Sequence, residues 1–104
     1  MKKVEQNRPA TLEQACGQVI VQLREKQGLS QMDLAVAAGY SLRYIGDVER
    51  GAKSATLRTM NDLATLLNVR LGDLVSQAER RLRYRDNRTK ETPVIREKRK
   101  NGNR

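Results

Sequence analysis

A chain of 104 residues with 21 Lys and Arg against 12 Asp and Glu, net +9 at pH 7, has room for one small domain and a surplus of positive charge that favours a polyanionic partner. One Cys and no His exclude a disulfide framework, the usual zinc ligand sets and every His-dependent nucleophile or base, so neither an enzyme nor a metal or other cofactor site is expected. The longest apolar run, Leu34-Ala35-Val36-Ala37-Ala38, is far too short to span a bilayer, and a soluble, cytoplasmic, nucleoid-associated protein is the expectation.

In chain order, residues 1–10 are polar, contain Pro9 and precede any capping signal, which predicts a short flexible arm. Thr11 followed three residues on by Gln14 is a capping-box pattern, and Leu12, Ala15, Cys16, Val19, Ile20 and Leu23 then make one face of a first helix that stops at Gly28. Ser30 with Asp33 marks a second N-terminus, with Met32, Leu34, Ala35 and Ala38 predicted on the buried side of a helix of about two turns closed by Gly39. Ser41 caps a third helix that turns Tyr44, Ile45 and Val48 inward and stops at Gly51. Thr56 starts a fourth, with Leu57, Met60, Leu63, Ala64 and Leu67 on one stripe and Asn68 at its end. A fifth runs from about Leu71 through Leu74, Val75, Ala78 and Leu82, fading near Arg85.

The predicted fold is therefore all-α: five helices over residues 11–85, each too short to be stable alone and held by packing. Without Phe or Trp the core is aliphatic, and truncating Leu23, Leu34, Ile45 or Leu63 to Ala is expected to cost ~2–5 kcal/mol each. Cys16 reads as a core position, since no second Cys or activating neighbour accompanies it. Residues 1–78 carry 10 basic and 8 acidic side chains, net +2, whereas residues 79–104 carry 11 and 4, net +7. Residues 86–104, with Pro93, Gly102 and no apolar periodicity, are predicted to be a disordered basic tail.

The feature that points to function is the pair of short helices over residues 31–50. Ala35, Gly39, Ile45 and Val48 have the spacing of a helix-turn-helix: a small residue where helices cross, a glycine for the sharp turn, and two apolar residues plugging the second helix into the core. With those positions inward, Ser41, Leu42, Arg43, Gly46 and Asp47 face outward on a rigidly held helix, which is what a DNA major groove accepts. Gly46 inside a helix costs up to ~1 kcal/mol relative to Ala, and close backbone approach is one explanation for it.

Leu23-Arg24, Gly28-Leu29-Ser30-Gln31, Leu34-Ala35, Ala38-Gly39, Tyr44-Ile45, Val48-Glu49-Arg50-Gly51, Leu63-Ala64 and Leu67-Asn68-Val69 together resemble the Cro and lambda-repressor type of helix-turn-helix regulators, the XRE family, over about residues 12–76. The resemblance implies a five-helix lambda-repressor-like DNA-binding domain. It implies that Gln31 donates to a phosphate and braces a base-contacting side chain, and that Ser41, Leu42, Arg43 and Asp47 occupy base-facing positions. Arg43 is the strongest candidate, because a guanidinium can bond O6 and N7 of one guanine. Leu42 suits a thymine methyl; Asp47 suits either a cytosine N4 or the orientation of Arg43 or Arg50. Tyr44 places its hydroxyl near the phosphates, and Arg50, Lys53 and Arg58 lie where the DNA backbone would pass. Arg24 and Glu49 match the family's structural ion pair between the first and third helices.

These residues predict a sequence-specific transcriptional regulator, of repressor or autoregulator type, that binds a double-stranded operator as a homodimer. The dimer surface is expected on helix five, along Leu71, Leu74, Val75, Ala78 and Leu82. The alternative is an antitoxin or adaptor-type module whose main partner is a protein and whose DNA contact is secondary. Membrane binding is not expected, because the basic tail has almost no apolar face.

Overall fold

A computed structural model describes residues 8–85, so residues 1–7 of the predicted arm and the predicted tail 86–104 lie outside the described residues. Among the described residues the chain forms five helices: α1 Leu12–Lys26, α2 Gln31–Ala38, α3 Leu42–Arg50, α4 Leu57–Leu66 and α5 Leu71–Arg85. None is long and apolar enough to cross a membrane.

Side-chain oxygens set the helix starts. Thr11, Ser30, Ser41 and Thr56 each accept the backbone N–H three residues ahead, satisfying a donor the helix itself leaves orphaned. Ser30 and Asp33 complete the reciprocal box, with Ser30 N–H on the Asp33 carboxylate at 2.9 Å and Asp33 N–H on Ser30 Oγ at 2.9 Å. The box expected at Thr11 differs by one residue: Gln14 Oε1 accepts from Ala10 N–H at 2.7 Å, upstream of the cap. That contact draws the start of the described chain onto α1, and Pro9, expected within a free arm, is buried.

α1 packs against both α3 and α5, α2 against α3 and α4, and α4 against α5, so each helix is held chiefly by two others. Ile20, Leu34, Ile45, Leu63, Leu67, Leu74 and Val19 are fully buried, and Ala15, Ala35, Ala64 and Ala78 let helix backbones approach between them.

Three apolar residues expected in this interior stand at its edge instead. Met32 is 52% exposed, Leu57 is 75% exposed, and Leu12 is also exposed. Each lies in the first turn of its helix. Met32 also shares the outer side of α2 with Val36, 72% exposed and one turn on. The fourth helix ends two residues earlier than expected: Leu67 is its C-cap, and Asn68 follows with φ of 65°.

Gly17 sits in mid-α1, where glycine weakens a helix. A Cβ there would lie 2.2 Å from the Glu49 carbonyl oxygen and 2.6 Å from that of Val48, so only glycine lets α1 touch the backbone of α3 this closely.

Candidate nucleic-acid interface

α2 ends at Gly39, whose φ of +79° reverses the chain while its own N–H and that of Tyr40 both reach the Ala35 carbonyl, at 2.9 and 3.0 Å. Ser41 then caps α3 by accepting Tyr44 N–H at 3.0 Å. Two residues thus separate the end of one helix from the cap of the next, fixing the angle between α2 and α3 locally.

Three attachments hold the inner edge of α3. Ile45 and Val48 are buried in the core. At its C-terminal end the Glu49 carboxylate takes a two-pronged bond from Arg24 of α1, Nε to Oε2 at 2.7 Å and Nη2 to Oε1 at 3.0 Å, with side chains 11% and 4% exposed respectively. The remaining Arg24 donor reaches the Leu29 carbonyl at 2.9 Å. The bond to Glu49 holds the guanidinium pKa above its usual value even though partial burial pulls the other way, so Arg24 stays charged. The expected ion pair is present.

Gln31, at the start of α2, donates its amide Nε2 to Glu49 Oε1 at 2.8 Å. The structure thus gives Gln31 an internal partner, making it the third donor on the carboxylate that pins α3. Tyr44 is half-buried, its ring 5.3 Å from that of Tyr40 and tilted by 48°. Tyr40 is a residue the sequence reading did not single out. Its hydroxyl lies 3.1 Å from Thr59 Oγ1 and donates to Asp62 Oδ2 at 3.1 Å, tying the turn of the motif to α4. Its position directly before a cap serine was the available signal, since a side chain there commonly fixes the entry to a helix.

The outer edge of α3 is different in kind. Ser41, Leu42 and Arg43 are exposed, and among the described residues Arg43 takes part in no ion pair or hydrogen bond. One turn on, Asp47 is 14% exposed and turns away from Arg43: Oδ1 accepts from Arg50 Nη2 at 2.5 Å, and Oδ2 lies 3.7 Å from Lys53 Nζ. Of the alternatives open at Asp47, the free protein adopts the one with Arg50. Arg58, at the start of α4, is exposed. The outer edge therefore carries one free cation at its N-terminal end and two carboxylate-held cations at its C-terminal end.

The apolar stripe of α5 is largely consumed by the fold. Leu74 and Ala78 are fully buried, Leu71 and Leu82 pack against the core with part of their surface exposed, and Val75 is half-buried. Val75 does line a shallow apolar groove of about 290 Å³ together with Leu12, Cys16, Val48, Leu57 and Met60. Cys16 is half-buried there, and burial first, then the Glu13 carboxylate, push its thiol pKa up, which disfavours the reactive thiolate.

Residues 20–74 match the Helix-turn-helix family model (HTH_3). The HTH-type transcriptional regulator DdrOP3 of Deinococcus deserti is 36% identical over 58 residues, 56% of this chain and 45% of that protein, so the chain spans less than half the length of this relative. The uncharacterized HTH-type transcriptional regulator y4dJ of Sinorhizobium fredii is 32% identical over 63 residues, 61% of this chain and 82% of the relative. Among solved structures, the restriction-modification controller protein C.AhdI of Aeromonas hydrophila superposes with a TM-score of 0.57 at 38% identity, covering 59% of this chain and 92% of that one. The clp gene regulator ClgR of Corynebacterium glutamicum, at 22% identity, shares the fold with a TM-score of 0.71 over 79% of this chain and 86% of its own. With α2 and α3 forming the motif inside the matched segment, this chain belongs to the XRE-type family of helix-turn-helix transcriptional regulators.

Proposed function

We propose that the protein is a sequence-specific double-stranded DNA-binding transcriptional regulator, of repressor or autoregulator type, acting in the cytoplasm at the nucleoid with α3 in the major groove. One observation carries this reading: α3 is fixed along one edge by Ile45, Val48 and the Arg24–Glu49 pair, while its other edge offers Arg43 to solvent without an internal partner among the described residues. A guanidinium so placed can bond O6 and N7 of a guanine, worth ~1–3 kcal/mol of discrimination between bases. Leu42 supplies an apolar contact for a thymine methyl, and Ser41 and Tyr44 lie beside it with hydroxyls for phosphate or base edges. Arg50, Lys53 and Arg58 supply phosphate contacts beyond the end of α3. Gln31 acts at one remove, by bracing Glu49 and with it the seat of α3.

Residues 11–85 make the folding unit in this reading, and the basic residues 86–104 add sequence-independent attraction to the duplex. The protein works as a homodimer, so that two copies of α3 reach half-sites about one turn of DNA, ~34 Å, apart. Its dimer surface includes the exposed edge of Val75 and the apolar groove of Leu12 and Leu57 beside it. The regulators DdrOP3, y4dJ and C.AhdI support a role in gene control through their names and identities. Selection of bound duplexes from a random pool at fixed salt tests the proposal. It predicts one pseudo-palindromic sequence, and recovery of no preferred sequence would refute it.

A second reading, an antitoxin or adaptor whose main partner is a protein, draws on the exposed Met32 and Val36, an apolar pair one turn apart on α2 and outside the outer edge of α3. A Met32→Gln/Val36→Gln variant that binds the selected duplex normally but no longer regulates a reporter would favour it; normal regulation would count against it.

A further inference from the structure

Asp47 is an anomaly on a surface meant for a polyanion. Its carboxylate occupies the outer edge of α3, one turn from Arg43, where every charge faces the duplex if the proposed function holds. In the free protein it is not idle, because it holds Arg50 through Oδ1 at 2.5 Å and lies 3.7 Å from Lys53 through Oδ2. Both cations are otherwise exposed, so among the described residues this one carboxylate occupies the two basic side chains at the C-terminal end of the reading helix.

We propose that Asp47 is a specificity-determining residue that couples base reading to phosphate binding: a base amine opposite it takes over the carboxylate and releases Arg50 and Lys53 to the DNA backbone. The inference rests on the docking of α3 proposed above. The chemistry of the groove supplies the switch. A carboxylate only accepts hydrogen bonds; the major-groove edge of guanine offers only acceptors and that of thymine an acceptor and a methyl, adenine sets its N6 amine beside the N7 acceptor, and cytosine alone presents an amine, N4, with no acceptor of its own next to it.

Opposite a cytosine, Asp47 exchanges two cations for a donor from the base, and the cations become free for phosphates. Opposite guanine or thymine, releasing Arg50 and Lys53 would leave the carboxylate unpartnered against acceptor atoms and a polyanion. The cations then stay on Asp47 and the phosphates go without two partners. The two cations are 65% and 58% exposed, so water competes for their side of each pair and the arrangement opens when the donor is present. Discrimination thus arises at one base pair and is amplified through two cations that read no sequence themselves.

The experiment compares wild type and Asp47→Asn on two probes, a duplex recovered by selection with the wild-type protein and a random-sequence duplex of equal length, each titrated over a range of salt. Asp47→Asn removes the negative charge that pairs both cations and leaves them only a neutral acceptor. Affinity for the random duplex is expected to rise on the order of fivefold at low salt, and the slope of log K against log salt to steepen by up to ~1.8, about 0.9 for each cation released. Affinity for the selected duplex changes less, and a repeat selection with the variant loses its preference for cytosine at one position of each half-site. Adding Arg50→Gln and Lys53→Gln to Asp47→Asn abolishes the gain on random DNA, which a purely structural role of Asp47 would not predict.

Random-duplex affinity and salt slope unchanged in Asp47→Asn, with a wild-type protein that still prefers its selected duplex, would overturn this inference and leave the docking of α3 standing. A wild-type protein with no preference for any sequence would overturn both.

Discussion

Glu49 accepts three hydrogen bonds within the fold, two from Arg24 and one from Gln31, and this makes it the residue on which the placement of α3 turns. Losing the carboxylate strands a guanidinium that is mostly shielded from water, with only the Leu29 carbonyl left to it. Glu49→Ala is expected to lower the free energy of unfolding by ~3–5 kcal/mol in urea titration, with loss of DNA binding following from loss of fold. An effect under ~1 kcal/mol would mean that water screens the pair. Asp33 gives a pH signature at the same scale. Ser30's backbone N–H, and then its hydroxyl, hold the Asp33 carboxyl below its ordinary value of 3.8. Because the folded-state pKa is the lower one, its contribution to stability is present at neutral pH and is lost as pH falls below about 4. Asp33→Asn should therefore flatten the dependence of Tm on pH in that acid range and leave it unaltered above; an unchanged acid limb would contradict the assignment.

Two glycines show how much of an element is decided by its neighbours. Gly17 and Gly46 both interrupt helices, and helix propensity treats them alike. A Cβ on Gly17 collides with the α3 backbone, whereas one on Gly46 meets only the flexible Arg50 guanidinium, 3.2 Å away at Nη1. Gly17→Ala is expected to destabilise by ~1–3 kcal/mol through forced separation of α1 and α3, and Gly46→Ala to stabilise the free protein by up to ~1 kcal/mol, both read by thermal or urea unfolding. Equal effects of the two substitutions would show that the close approach is not maintained in solution.

The contrast also marks what the sequence discloses. Helix starts were legible because Thr11, Ser30, Ser41 and Thr56 act on backbone within three residues, and Ile45 and Val48 because periodicity records a buried edge. Gly17 was silent, since its reason lies on another helix. Met32, Leu57 and Leu12 misled because apolar character does not say whether a neighbour reaches the first turn of a helix. At the candidate interface, the exposure of Arg43 and the Arg24–Glu49 pair were readable through family resemblance, whereas the engagement of Asp47 by Arg50 and Lys53 and of Gln31 by Glu49 depends on side-chain directions that spacing leaves open.

At the scale of the molecule, charge and apolar surface divide the work. Residues 79–104 hold net +7 of the total +9, so in the proposed docking they would dominate long-range attraction to a duplex and leave its reading to α3. Deleting residues 87–104 is expected to flatten the slope of log K against log salt by about 0.9 for every phosphate those residues neutralise, without changing the selected sequence. A slope equal to that of the full chain would remove this segment from DNA contact. Leu74 and Ala78 are buried in the core of one chain, so of the α5 stripe only Leu71, Val75 and Leu82 keep surface that a second copy could cover. Sedimentation of wild type and of a Leu57→Gln/Val75→Gln variant, in which two residues at the rim of the apolar groove become polar, locates the dimer surface. A dimer that becomes a monomer in the variant is the expected outcome, and a variant that remains dimeric would place the contact elsewhere.

The claim beneath all of this is that Arg43, presented by a helix fixed along its opposite edge, reads a guanine. The most direct measurement compares wild type and Arg43→Ala on the selected duplex and on versions in which each guanine of a half-site is replaced in turn. Wild type should lose ~1–3 kcal/mol at one guanine, and Arg43→Ala should bind the duplexes with and without that guanine equally well. Wild-type discrimination retained at every position by Arg43→Ala would contradict that claim.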